Sequence, residues 1–472
     1  MWSRRSFLAS ASCLAVWPSR GLAFEHSTPW IQGALPRPVP SRAQLGWQAD
    51  ELALFLHFGV NTFTDREWGD GTEDPAIFNP TQLDARQWAR SAKAAGAKAL
   101  ILTAKHHDGF CLWPTRTTKH SVASSPFRNG KGDVVREFVN ACREFGLKAG
   151  LYLSPWDRNA AVYGTGDGYN EFYWEQLTEL LTGYGRIDEV WFDGANGEGP
   201  SGKRQTYDWP TTWALVARLQ PEAVMFSDAG PGVRWIGNEN GVAGETNWST
   251  VEPSVVPVPG VSGPAVMKML REGDPHGSVW RPGETDVSIR PGWFYHAAED
   301  VRVRSVDNLV NLYFTSVGRN SKLLLNVPPT RDGVLHEVDV ARLAGMRTRL
   351  NDMFATNLAA GARRTVHTGF TQDYAAALDR TAEGLPIVTV DLGRNVTVSM
   401  ADLREDIAHG QCIARYTLQG STDGVAWQTH SSGTTIGYRK LDRFAPATIR
   451  HARVLIREAV AAPRPITLGL YG

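Results

Sequence analysis

The chain is poor in cysteine, with 4 in 472 residues, at positions 13, 111, 142 and 412, and it has no CxxC. That count and spacing indicate neither a zinc site nor a disulfide framework. It has no surplus of either charge, because 49 Lys and Arg meet 49 Asp and Glu. A balanced chain lacks the field that draws nucleic acid or an anionic membrane, so neither is expected as a partner. No run past the amino terminus approaches the ~18 apolar residues of a membrane span. HExxH and the Gly-rich phosphate loop with its Lys are both missing, which removes two common routes to metal and nucleotide chemistry. Tryptophan, by contrast, is abundant at 17. Indole rings pack well against apolar faces of sugars, so either carbohydrate or a Trp-rich core accounts for them.

The first 23 residues read as an export segment. Ser3-Arg4-Arg5-Ser6-Phe7-Leu8 is a twin-arginine pattern, a modest apolar stretch follows, and Gly21-Leu22-Ala23 offers a small-residue cleavage site. The expectation is an exported bacterial protein, periplasmic or secreted, cleaved near Ala23. What remains is too long for one ordinary core, so two domains are expected.

The organising stretch is IDEVWFDG at 187–194, a mostly apolar run that ends in Asp193 and then glycine. Such a run reads as a buried parallel strand, with its carboxylate at the carboxyl end, where α/β barrels place their chemistry. The same unit recurs. Helical patterns at 88–95, 134–145, 172–181, 211–219 and 306–317 alternate with strand patterns at 98–103, 148–153, 187–194, 223–226 and 322–327, after a first strand at 52–60. Glycines 96 and 146 close two of the helices, as a left-handed cap requires. The periodicity predicts a (β/α)8-like barrel over residues 24–354. Residues 230–290, rich in Gly and Pro, read as one long functional loop. Short β-type runs at 387–392, 416–419 and 453–456, with turn chemistry at 420–424, predict a C-terminal β-sandwich over 355–472.

The strand ends gather His57, Glu67, Trp68, His106, His107, Tyr152, Trp156 and Asp193, and Trp293 joins them from RPGWF at 290–294. One reading is a metal site at His106, His107 and Asp108. Adjacent histidines on a strand point to opposite faces, which disfavours it. The other is a glycosidase, which needs one carboxylate as nucleophile, a second as general acid, and donors around sugar hydroxyls. Asp193 fits the first role, and its partner must come from another loop. No metal and no cofactor are required.

Seven motifs in order carry a resemblance: HFG at 57–59, EW at 67–68, KHHDGF at 105–110, SPWD at 154–157, WFDG at 191–194, SIRPGWF at 288–294 and LLLNVPP at 323–329. Together they resemble the α-L-fucosidases of glycoside hydrolase family 29. The C-terminal marks are LREDI at 403–407 and GTTIGY at 433–438. The resemblance implies a retaining exo-fucosidase acting on fucosylated oligosaccharides or glycoconjugates without a cofactor. Asp193 corresponds to the family nucleophile, and His57, Glu67, Trp68, His106, His107 and Tyr152 match positions lining the fucose pocket. Fucose presents three hydroxyls and an apolar methyl group. Imidazoles and Glu67 suit the hydroxyls, and Trp68 or Trp293 suits the methyl and ring face.

The acid/base is sought among Glu239, Glu245 and Glu252 in the long loop. IGNENG at 236–241 resembles the acid/base loop of the subfamily acting on α-1,3- and α-1,4-linked fucose, which favours Glu239, with Glu245 next. SPWDR at 154–158 and GETNWST at 244–250 resemble the same subfamily. Five glycines between 230 and 244 make a rigid loop unexpected, so substrate should draw Glu239 toward Asp193. A non-catalytic glycan-binding barrel and a glycosidase for another sugar stand as alternatives. The sequence does not speak to oligomeric state.

Overall fold

The computed structural model describes residues 37–367 and 384–472. The export segment at 1–23, with Cys13, and the first part of the Pro-rich leader lie outside the described residues. Eight strands form one parallel sheet. They are β1 (Leu52–Leu56), β2 (Ala99–Lys105), β3 (Lys148–Leu153), β4 (Glu189–Trp191), β5 (Val224–Phe226), β6 (Arg234–Trp235), β7 (Gly283–Ser288) and β8 (Ser321–Asn326). The hydrogen-bonded order is β5-β4-β3-β2-β1-β8-β7-β6, and a parallel bridge between Phe226 and Val233 joins the two ends. The sheet therefore closes into a (β/α)8-like barrel.

The local reasons are visible in the chain. Every residue of β1 and β2 is buried, as expected of strands covered on both faces. The helices Ala85–Ala95 and Val134–Phe145 start at Asp84 and Asp133, whose carboxylates accept the backbone N–H of Gln87 and Arg136. They stop at Gly96 and Gly146, both left-handed at φ 87° and 68°. Phe55, Ile101, Trp191, Phe226 and Leu324 fill the barrel interior. Deeper in, Lys322 lies 3.0 Å from Glu189 and 3.7 Å from Glu284. Trp47 and Trp191 donate their indole N–H groups to these two carboxylates, each at 3.0 Å. Against burial, Lys322 keeps its charge there through the carboxylate charges around it, whereas burial and the Glu189 charge drive the Glu284 carboxyl well above its usual range.

Two expectations change. The run at 52–60 stops being strand at Leu56, and Val60–Thr64 is a short helix. The stretch at 230–290 is not one loop. It contributes β6, β7, the helix Pro264–Glu272 and a small antiparallel pair of Thr250–Val251 with Val279–Trp280. β6 is two residues long, and β7 reads GETDVS with Glu284, Thr285 and Asp286 all buried. Buried polar strand residues defeat a hydrophobic-run criterion.

The C-terminal part is antiparallel: β9 (Arg363–Val366), β10 (Leu385–Arg404), β11 (Ile413–Ser421), β12 (Gln428–Gly433), β13 (Lys440–Ala459) and β14 (Thr467–Tyr471). β10 and β13 are 20 residues each and pair along their length, with a register break between Asp391 and Val396. Before the break β10 also pairs with β9, and after it with β14. All six strands belong to one antiparallel sheet in the order β9-β10-β13-β11-β12 with β14 also on β10, and Val388, Val390, Val398, Leu403, Leu418 and Leu470 share one core. Arg439, held within this domain by Asp402 (2.8 Å), ties it to the barrel through Glu51 (2.8 Å) and Tyr313 (2.7 Å).

Candidate active site

Asp193 stands two residues beyond β4, at the carboxyl end of the barrel. Its Oδ2 accepts the Tyr152 hydroxyl from β3 at 3.0 Å, and its Oδ1 accepts the Ala195 backbone N–H at 2.7 Å. His107 Nε2 is 3.9 Å from Oδ2. The Asp193 side chain remains 26% exposed, so one approach is open. Burial, reinforced by the Asp193 charge, pushes the Tyr152 phenol well above its usual range, so it stays a donor. Gly194 is demanded by close approach. A Cβ there would stand 2.6 Å from Asp228 Oδ2.

Three imidazoles flank this carboxylate. His57 lies just past β1, and its Nδ1 is 2.8 Å from Asn326 Oδ1. The Asn326 amide N–H groups are committed to Ser288 Oγ and the Trp293 carbonyl, so its oxygen must accept from His57. That assignment leaves His57 Nε2 as an acceptor. His107 Nδ1 meets Ser154 Oγ at 2.7 Å, and Ser154 itself donates to the Trp156 carbonyl, which fixes the same tautomer in His107. Burial pulls His57 down to about 3 and His106 well below the usual imidazole range. Burial also lowers His107, although Asp193 opposes it. The trio therefore stays neutral near pH 7 and offers lone pairs and N–H groups suited to hydroxyls.

His106 and His107 do not behave as neighbours on a strand. β2 ends at Lys105, the chain turns, and the two rings sit 4.1 Å apart on one side of the pocket. The opposite-faces argument against a shared ligand fails for that reason.

Glu67 comes from the loop after β1. It accepts the backbone N–H groups of Trp293 (2.7 Å) and Phe294 (3.0 Å) and pairs with His296 Nε2 (2.7 Å). The aromatic wall follows from these anchors. Trp293 packs 5.1 Å from the His57 ring, Trp156 lies 4.9 Å from His107, and Trp68 stands 6.0 Å from Trp156 with 60% of its surface exposed. Trp293 also lies past a strand end, that of β7, which the sequence did not reveal.

Glu239 is an exposed loop residue whose carboxyl group is turned to the same mouth. Burial of that group pushes its pKa up, the Trp293 indole opposes, and the charges of Asp193 and Glu67 add to the rise. Glu245 points elsewhere, pairing with Arg319 at 3.2 Å with its side chain 79% exposed. Glu252 caps a short helix and accepts from Ser254 (3.0 Å) and Ser278 (3.0 Å). The arrangement can present two carboxyl groups, that of Glu239 with a raised pKa, to a sugar held by neutral donors and acceptors and by indole faces.

The α-L-fucosidase family model matches residues 60–352, more than half of the chain. The chain belongs to the α-L-fucosidase family. It is 44% identical to α-L-fucosidase 1 of Arabidopsis thaliana, over 92% of this chain and 87% of that one. Its fold is similar to a glycoside hydrolase 29 family member from a rumen bacterium, at 41% identity and TM-score 0.83, covering 92% and 77% of the two chains. It is also similar to a Ruminococcus gnavus fucosidase solved with fucose, at 31% identity and TM-score 0.80, covering 93% and 96%.

Parts of this fucosidase's motifs build the site without lining it. Lys105 and Asp157 form a fully buried pair at 2.9 Å, joining KHHDGF to SPWD, and Gln176 completes it at 2.9 Å. Removing one partner of such a pair costs roughly 3–5 kcal/mol. Arg290 holds the SIRPGWF turn through Asp339 and Asp300, each at 2.8 Å. Two carboxyls near Asp193 escaped the sequence reading. Asp228 is pushed up to about 6 by burial, with the Gly260 N–H opposing and Asp193 adding. Asp286 on β7, bonded by the Trp235 indole at 2.8 Å, is driven well above the usual range by burial and by Glu239. Ser227-Asp228 at the end of a recognised strand was a usable signal for Asp228. Asp286 sits inside an unrecognised strand and gave none.

Proposed function

We infer that this fucosidase is a retaining exo-enzyme that releases terminal α-1,3- and α-1,4-linked L-fucose by double displacement. The observation that carries the reading is Asp193. It is a partly open carboxylate fixed through both oxygens at a barrel strand end, and the Glu239 carboxyl, with its raised pKa, shares the same mouth. Glu239 passes its proton to the glycosidic oxygen as Asp193 attacks C1, and the aglycone leaves. Glu239 then takes a proton from water, which attacks C1 and frees Asp193, so two inversions return the α configuration. Such carboxyls stand ~5–5.5 Å apart when both act. The glycine-rich Glu239 loop reaches that separation as substrate binds. His57, Glu67, His106, His107 and Tyr152 hold the fucose hydroxyls, and Trp68, Trp156 and Trp293 form the apolar wall. The step needs neither metal nor cofactor. The barrel ends near residue 354 and the C-terminal domain begins at 355. The twin-arginine segment at 1–23 directs export, and among the described residues no helix is long and apolar enough to cross a membrane.

The linkage preference rests on the IGNENG, SPWDR and GETNWST motifs. In parallel digests, a Lewis-type trisaccharide should release free fucose at a rate well above 2'-fucosyllactose. Faster release from 2'-fucosyllactose would overturn the linkage assignment while leaving the fucosidase activity standing.

A further inference from the structure

A second cavity lies on the seam between the barrel and the C-terminal domain. It is a cleft of about 630 Å³, and none of its lining residues belongs to the pocket around Asp193. Four cations line it, Arg319, Arg415, Lys440 and Arg443, against two carboxylates, Glu245 and Asp442. Both carboxylates are already engaged. Glu245 pairs with Arg319 at 3.2 Å. Asp442 Oδ2 accepts the hydroxyls of Tyr416 at 2.6 Å and Ser431 at 2.7 Å. Arg415 has a rim partner in Glu458 at 3.1 Å, and among the described residues Arg443 has only the neutral Asn311 amide oxygen at 2.9 Å and the Phe314 ring.

Lys440 decides what the cleft is for. It is 8% exposed, and among the described residues its ammonium makes neither a hydrogen bond nor an ion pair, the charges of Asp442 and Glu245 acting on it from farther off. Lysine is rarely buried without a counter-charge. A point-charge ammonium beside planar guanidinium forks is the donor set that proteins use for tetrahedral oxyanions. The geometry points to an oxyanion-binding site at this seam, with Lys440 at its centre and Arg319, Arg415 and Arg443 around it, taking a sulfate or phosphate group. Free inorganic anion and a sulfated saccharide share that chemistry.

The test is thermal unfolding of the full chain in sulfate, with sodium chloride balancing ionic strength. Wild type should gain a saturable rise in Tm at millimolar sulfate. Lys440→Met, which keeps the apolar stem and removes the ammonium, should lose the saturable part. Sulfate also stabilises proteins by exclusion from their surface, but that effect is unsaturated and common to both chains. Arg443→Gln, at an exposed position, should weaken sulfate while keeping the fold. In calorimetry the loss in Lys440→Met should be at least about tenfold, the size expected for a charge-assisted hydrogen bond. Tighter binding of N-acetylglucosamine 6-sulfate than of inorganic sulfate would assign the anion to a glycan, and equal binding would assign it to the free ion. An identical sulfate response in wild type, Lys440→Met and Arg443→Gln would overturn the proposal.

Discussion

Asp193→Ala should lower kcat on the order of 10⁴-fold, about 5.4 kcal/mol of barrel-mouth chemistry at 1.36 kcal/mol per tenfold. The fold should survive, because the side chain is partly open and its two principal contacts are one Tyr152 hydroxyl and one backbone N–H. Alanine leaves a space beside C1 that a small anion can enter. Added azide should then restore turnover and give a fucosyl azide of inverted, β configuration, since only one displacement remains. Circular dichroism and Tm matching wild type would confirm that the loss is chemical. Substantial activity without azide would sink the assignment of Asp193.

Glu239→Ala should separate substrates by leaving group. General acid catalysis contributes roughly 10²–10⁴-fold, so natural glycans should slow on the order of 10³-fold. Fucosyl fluoride, whose leaving group needs little protonation, should keep a far larger share of its rate in the first step. Azide should intercept the fucosyl-enzyme and give the α-azide, the opposite anomer from that of Asp193→Ala. The pH profile should change as well. His57, His106 and His107 are held neutral by burial, so they do not supply the alkaline limb. Glu239 must keep its proton to act, and its raised pKa sets that limb, with activity falling as pH climbs through it. The limb should vanish in the variant. Equal losses on both substrates would argue against the acid role, and the same pair of assays on Glu245→Ala would locate the donor there.

How far these residues could be read without coordinates depended on what buried them. Asp193, His57, His106, His107 and Tyr152 lie at or just past apolar runs, so strand ends and the candidate site were legible together. The helices read at 88–95 and 134–145 announced themselves through terminal glycines, and the first begins three residues earlier, after the Asp84 cap. β6 and β7 were not legible, because two residues make no pattern and Glu284, Thr285 and Asp286 are polar residues buried by partners far away in the chain. Asp286 was lost with them. The pairing of His106 with His107 was misread because the strand ends at Lys105, two residues short of His107. The Lys105–Asp157 pair shows the opposite limit: the motif was seen, but that two of its residues serve the scaffold depends on a contact spanning 52 positions.

The most direct test of the account is to trap the intermediate. Wild-type enzyme inactivated with 2-deoxy-2-fluoro-α-L-fucosyl fluoride should carry one fluorofucosyl group, and peptide mass spectrometry should place it on Asp193 within IDEVWFDG. A label on any other residue, or no label together with β-fucose as the first-formed product, would contradict a double displacement through Asp193.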